Sequence, residues 1–343
     1  MPAHSFSGLH GRIETIWITS TAIGDNLLGD PPTRAVSVYL PPGYDDTTDE
    51  YPLFVELAGF TGSGLGRIAW KGFGENTPQR LERLVAEGKM GSVIAAFPDC
   101  FTSLGGNQYI NSIAMGRWAD FLTTDFLSAM EQSFRVRRGR QHRALFGKSS
   151  GGYGALVHGM QYADFWGAVA SHSGDAGFDW VYRHFLPEAL NTIAACGGSI
   201  TDVLDAFYGA PKVDNQLLTT IVTFAMAASY DPDAGAPKGI RLPVDPYTCA
   251  MIPSRWEAWQ KHDPVTIVET ALAKENLRKL RGLFIDCGSR DQYQIHFGTR
   301  ELVQKLRTLQ IPHVFEEFPD NHSNVDYRLD QSLPYLYRCV TAI

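Results

Sequence analysis

The sequence predicts an α/β protein built on a mostly parallel, doubly wound sheet of about eight strands, with a helical insertion between the sixth and seventh. Three observations carry that expectation. Short apolar runs rich in β-branched and aromatic residues alternate with longer helical patterns, which implies right-handed crossovers. The later runs are nearly continuous in apolar residues, as strands covered on both faces require. One interval of about a hundred residues, from Ser173 to Arg281, breaks the rhythm, and a structureless loop of that length is improbable in a compact domain.

Taken in order, strands are predicted at 12–19 (RIETIWIT), 34–40 (RAVSVYL), 52–58 (PLFVELA), 92–97 (SVIAAF), 142–147 (HRALFG), 167–172 (GAVASH), 281–287 (RGLFIDC) and 312–318 (PHVFEEF). The first two or three have short connections without a helix, so they are expected to pair antiparallel at one edge. Helical patterns fall at 77–88, 117–134, 150–162 and 297–310, and within the insertion at 179–195, 200–208 and 214–229. The chain thus divides into a core of 1–174 and 271–343 and an insertion of 175–270. Open α/β sheets bind ligands at the carboxyl ends of their strands, so the insertion is expected there as a cap. Packing on the sheet edge or on a second subunit, as a homo-oligomer, is the other way to cover its apolar faces (Val203, Leu204 and Phe207; Leu217, Ile221 and Phe224).

With 44% hydrophobic and 20% charged residues, the chain can bury a large core and does not have the composition of a disordered one. A net charge of −7 weighs against nucleic acid and anionic lipid as partners. The five cysteines are widely spaced with no C-x-x-C pair, which argues against a disulfide scaffold or a zinc ribbon. Residues 1–20 lack the basic start and apolar run of a signal peptide, and the most apolar later stretch, Leu217 to Ser229, is too short to span a bilayer. The expectation is a cytoplasmic protein with neither a membrane nor a nucleic-acid partner.

Residues 147–151 read Gly147-Lys148-Ser149-Ser150-Gly151, a match to G-x-S-x-G. In that motif a sharp strand-to-helix turn exposes a strained serine above the sheet, and glycines leave room around it. The context agrees: the strand HRALFG runs into the motif and the small-residue helix start GGYGALVHGM follows. Gly147-Lys148-Ser149 is also the end of a phosphate-binding loop, but that motif needs a glycine where this chain has His142. A serine nucleophile needs a base and an orienting acid, which follow it in the order acid, then histidine. LFIDCGSRDQY offers Asp286, inside the strand, and Asp291, in the loop beyond it. The loop position favours Asp291, because an in-strand carboxylate more often serves structure. FEEFPDNHSNVDY places His322 after the last strand, whereas the other nine histidines lie too early, in the insertion, or at element starts. Donors for a developing oxyanion are expected from the amide of Ser150 and from the loop Ala58-Gly59-Phe60-Thr61-Gly62, with Phe60 as the second amide. Cys100 has no base at a motif spacing. Tyr109, Tyr153, Trp180 and Phe224 are candidates for the pocket wall, each with plain core packing as the alternative.

At this point the chain resembles the esterase D family of α/β hydrolases, which includes S-formylglutathione hydrolases, feruloyl esterases and siderophore esterases. Four segments carry the resemblance: VSVYLPPGYDD, NSIAMGRWADFLTTDFLSAMEQSF, GKSSGGYGAL, and the closing pair CGSRDQ and DNHSNVDY. It implies an α/β-hydrolase fold, nucleophile Ser149, acid Asp291, base His322, and no metal or organic cofactor. Ala58 stands where the family commonly has histidine and Ser150 where methionine is frequent, and the long insertion departs from the compact S-formylglutathione hydrolases. The activity implied is hydrolysis of a small-molecule carboxylic ester or thioester through an acyl-enzyme. An acyltransferase with the same triad, and a non-catalytic binding protein on the same fold, are the alternatives.

Overall fold

The computed structural model describes residues 8–342. Its main sheet has eight strands: β1 (Arg12–Thr19), β2 (Thr33–Leu40), β3 (Leu53–Leu57), β4 (Ile94–Pro98), β5 (Arg143–Lys148), β6 (Ala168–His172), β7 (Gly282–Gly288) and β8 (Val314–Phe318). They are ordered β1-β2-β4-β3-β5-β6-β7-β8. β2 pairs antiparallel with both β1 and β4, and the five remaining pairs are parallel. This is the α/β-hydrolase arrangement, with antiparallel pairing confined to one edge as the short early connections predict.

Strand alternation distributes the core to both faces of the sheet. Leu53, Val55, Leu57, Leu145 and Val169 point into one layer, and Phe54, Phe146, Ala168 and Ala170 into the other. Each fully buried Leu, Val or Phe contributes about 1.5–3 kcal/mol. The inner strands β3 to β7 are therefore continuous apolar runs because neither face meets water, whereas the edge strands β1 and β8 are partly exposed. The order reverses direction between β3 and β5, where Leu57 lies opposite Gly147. Loops leaving the carboxyl ends of these two strands part there and open a crevice.

The helices used below are α1 (Thr77–Ala86), α2 (Ser150–Gln161), α3 (Phe185–Ala195), α4 (Ile200–Gly209), α5 (Asn215–Tyr230), α6 (Ile295–Thr308) and α7 (Leu329–Thr341). The start of α1 is fixed by a capping box, with Asn76 accepting from the Gln79 amide at 2.9 Å and Gln79 accepting from the Asn76 amide at 3.0 Å. Differences from the sequence expectation have local causes. The 117–134 helix contains a π-turn over Phe121–Phe126. The expected 179–195 helix is broken into Phe178–Val181 and α3, which turns Tyr182 inward. Helix α7 carries Pro334 inside it, a residue that hides a helical pattern from a sequence reading. No helix among the described residues is long and apolar enough to cross a membrane.

Beneath the crevice, His158 of α2 is fully buried. Its Nε2–H donates to the Tyr109 carbonyl at 2.9 Å and its Nδ1 accepts from the Trp166 indole N–H at 3.1 Å. Burial holds its pKa down to about 4 from 6.5, and burial does the same to His262. Between pH 6.5 and 4 the unfolded chain therefore binds protons that the folded chain refuses, so stability falls as pH falls through that window. Thermal unfolding followed from pH 7 to pH 4 is expected to give a steadily falling Tm. His158→Gln, which keeps a donor for the Tyr109 carbonyl, should flatten part of that slope, and an unchanged slope would place the acid sensitivity elsewhere.

Candidate active site

The turn from β5 into α2 is set by two close backbone approaches. A Cβ on Gly147 would lie 2.5 Å from the Leu57 carbonyl oxygen, and one on Gly151 would lie 2.0 Å from it. Glycine at both places lets α2 start directly against the end of β3. Between them Ser149 adopts φ 57° and ψ −127°, a region non-glycine residues avoid. Its amide donates to the His172 carbonyl at 3.0 Å and its carbonyl accepts the first bond of α2 from the Tyr153 amide at 2.8 Å. The serine is thereby fixed at the tip of the turn, at the N-terminus of a helix.

The loops after β7 and β8 are laced together beside it. Ser289 and Arg290 amides donate to the carbonyls of Phe318 and Asp320 at 2.8 and 2.9 Å. A Cβ on Gly288 would come within 2.5 Å of the Asp320 carbonyl, so the histidine loop lies flat on the end of β7. This brings Asp291 to His322, whose Nδ1–H donates to Asp291 Oδ2 at 2.7 Å. The other carboxylate oxygen accepts from the Tyr293 amide at 2.9 Å. Gln292 clamps the same loop, accepting from the His322 amide at 3.0 Å and donating to the Ser323 hydroxyl at 3.1 Å. The Tyr293 ring stands edge-on to the imidazole at 4.9 Å. Both partners are nearly buried.

Ser149 and His322 open on one cavity of about 440 Å3, which Phe60 and Ser150 also line. Phe60 is held by its carbonyl, which accepts from Gly106 at 2.7 Å, while the Gly62 amide closes the turn onto Gly59 at 2.9 Å. The Ser150 amide is one of the N-terminal donors of α2 that have no acceptor within the helix.

The insertion contributes part of the wall. Leu218, Val222 and Met226, at i, i+4 and i+8 of α5, form one stripe along the cavity, joined by Val181, Tyr182 and Phe185. The four aromatic candidates for the wall lie elsewhere. Phe224 sits on the opposite stripe of α5, packed in the core, and Trp180 points outward onto Phe297 at 5.7 Å. Tyr109 is buried behind the oxyanion loop, its hydroxyl donating to the Ala58 carbonyl at 2.5 Å, and Tyr153 donates to the His262 carbonyl at 2.9 Å. These tyrosines support the site from behind.

A second buried pair stands one strand away. His172 Nδ1–H donates to Asp286 Oδ1 at 2.7 Å, and Asp286 Oδ2 accepts from Arg328 Nε at 2.8 Å. His172 Nε2 meets the Ser332 hydroxyl at 2.8 Å. Both nitrogens of His172 and both carboxylate oxygens of Asp286 are engaged, and neither residue lines the cavity. Cys100 is buried, which pushes its thiol well above its usual range.

Sequence reasoning missed several polar cavity residues. On the core side, Glu56 of β3 pairs with Arg67 at 2.5 Å, with Lys148 nearby in the turn itself. Burial lowers the Lys148 pKa. Burial alone would raise the Asp326 carboxyl, but Arg67 and Lys71 override it and hold it well below the usual carboxylate range. On the insertion side, Asp175 lines the cavity and accepts from the Tyr182 hydroxyl at 2.7 Å. The signal for Asp175 was its place just past the carboxyl end of β6, in SHSGDAGFD. Among the described residues no three His, Cys, Asp or Glu side chains converge as metal ligands would.

The solved structures similar to this chain share its fold at low identity. A ferulic acid esterase superposes with a TM-score of 0.62 at 22% identity, covering 97% of this chain and 100% of its own. An S-formylglutathione hydrolase from Agrobacterium tumefaciens gives 0.59 at 13%, covering 98% of this chain and 99% of its own. The Staphylococcus aureus S-formylglutathione hydrolase gives 0.56 at 16%, covering 97% of this chain and 100% of its own. A search of curated protein sequences found no match. The family model described as "Putative esterase" matches residues 31–332, a span that takes in the Ala58–Gly62 loop, the Ser149 turn and the loops that carry Asp291 and His322. The chain belongs to that esterase family of α/β hydrolases, enzymes that cleave carboxylic esters.

Proposed function

We propose that the reacting group of this esterase is Ser149, with His322 as its base and Asp291 as the acid that orients the base. The observation that carries the reading is a serine held at φ 57° on a cavity that it shares with His322, itself bonded to Asp291 at 2.7 Å. With Nδ1–H committed to the carboxylate, the neutral imidazole presents the lone pair of Nε2 to the cavity. His322 Nε2 takes the Ser149 proton as the serine oxygen attacks the ester carbonyl. Negative charge developing on the carbonyl oxygen is met by the amides of Ser150 and Phe60. The same proton passes to the departing alcohol, and water, activated by His322, releases the acid from the acyl-enzyme. The substrate is a small ester, since the cavity that must hold it is about 440 Å3.

Ser149→Ala is expected to leave folding nearly unchanged and to lower kcat on p-nitrophenyl esters by about 10³-fold or more. Peptide mapping after treatment with a fluorophosphonate should find the label on Ser149. An active alanine variant, or a label on another residue, would move the chemistry elsewhere.

The two buried aspartates give opposite expectations. Asp291→Asn should cost on the order of 10²–10⁴-fold in kcat with little change in Tm, because the amide favours the wrong imidazole tautomer. Asp286→Asn removes the charge partner of Arg328 and the acceptor of His172, and should cost about 3–5 kcal/mol in denaturant unfolding. Exchange of the two phenotypes would reverse the assignment of the acid.

A further inference from the structure

Asp175 is a carboxylate that the mechanism leaves unused. It is 6% exposed, yet it lines the cavity that holds Ser149 and His322. Buried charges are ordinarily matched by an opposite charge. Asp175 has a neutral donor instead, the Tyr182 hydroxyl at 2.7 Å. Among the described residues no Lys, Arg or His lies within ion-pair distance of it, and the nearest charge that favours its ionised form is His322 across the cavity, opposed by Asp291. On the core side of the same cavity, by contrast, Glu56 carries Arg67 directly against it.

The surroundings of Asp175 are also short of donors. Gln108, whose Nε2 donates to the Ser150 hydroxyl at 2.9 Å and meets Met226 Sδ at 3.2 Å, has a buried Oε1 with no partner among the described residues. The insertion's share of the cavity lining is largely apolar, with Val181, Leu218, Val222 and Met226 beside Asp175 among the lining residues. A carboxylate with no ion-pair partner in a cavity that also offers an apolar stripe suits an alkyl chain ending in a cation with several N–H donors.

We propose that Asp175 is a specificity-determining residue that binds a protonated primary amine on the substrate, with the methylenes of that substituent lying along the α5 stripe. The substrate class is therefore a small carboxylic ester bearing an alkylammonium group; this rests on the assignment of Ser149 as the nucleophile. Burial raises the Asp175 carboxyl to about 6, which leaves it mostly ionised at neutral pH. A hydroxyl in the same place would donate one hydrogen bond and leave the charge uncompensated. A primary ammonium neutralises it and offers three donors.

The test uses two ligands of one shape, butylammonium and 1-butanol, as protectants of Ser149 against a fluorophosphonate at pH 7.5. Butylammonium should halve the labelling rate at a concentration about 10-fold or more below that of 1-butanol. In Asp175→Asn that preference should vanish. Equal protection by the two ligands in the unaltered protein overturns the proposal without recourse to any variant, and a preference that survives in Asp175→Asn overturns it as well. The rise in Tm with each ligand is measured alongside and does not depend on Ser149 reacting. Amine-selective stabilisation without labelling of Ser149 would therefore sink the nucleophile assignment while leaving Asp175 as the amine site.

Discussion

Ser149 holds a backbone conformation that costs a non-glycine residue about 1–3 kcal/mol, and the structure around it is what makes that conformation persist. Its amide is tied to β6 through the His172 carbonyl and its carbonyl opens α2. Glycines on both sides allow β3 to pass within contact distance of the turn. The same closeness sets the oxyanion loop beside the serine, because Leu57 at the end of β3 lies opposite Gly147 at the end of β5. A side chain at Gly151 would push α2 off β3 and separate the Ser150 amide from the Phe60 loop. Strand order, the two glycines and the strain at one serine are thus a single constraint seen at three scales.

The two histidine–aspartate pairs illustrate how position decides role when chemistry is shared. Both have an Nδ1–H to carboxylate bond of 2.7 Å. At His172 the remaining nitrogen is taken by Ser332 and the remaining carboxylate oxygen by Arg328. Nothing is left to move a proton to a substrate, and none of these residues lines the cavity of Ser149. At His322 the carboxylate is completed by a backbone amide, and the imidazole borders the cavity. The first pair fastens β6 to β7 and α7, and so steadies the carbonyl that holds Ser149. Asp286 lies in parallel register with His172 across those strands, which is why a carboxylate inside a strand reads as structural.

The sheet was legible because burial on both faces leaves continuous apolar runs in its inner strands, and all eight strands lie within two residues of the expected bounds at each end. Ser149, Asp291 and His322 were legible because each sits at a loop whose position the strand pattern fixes. The wall was not. Along α5 the sequence presents two apolar stripes, one with Phe224 and one with Val222 and Met226, and only the packing of the helix decides which faces the core. Trp180 lies in the short helix Phe178–Val181 and Tyr182 just past its end, and this break in the expected 179–195 helix turns the tyrosine to the cavity and leaves the tryptophan outward. Asp175 was hidden for a different reason: it falls at the junction of core and insertion, and what sets it apart among the described residues is a buried carboxylate bonded to the Tyr182 hydroxyl without an ion-pair partner, which no local pattern encodes.

Division of labour follows from which part of the chain supplies each face of the cavity. The core supplies the serine turn, the oxyanion loop and a charged flank where Glu56, Arg67 and Lys148 meet. Those groups are anchored to β3, β5 and the loops beside them, so changing one disturbs the turn itself. The insertion supplies the apolar stripe of α5 and, through Tyr182, the donor that holds Asp175 in place. These residues touch the cavity and each other without bearing on the backbone of Ser149. Size and polarity on that side can therefore differ without moving the turn that holds Ser149, because the excursion between β6 and β7 lines the cavity with side chains that belong to neither β3 nor β5.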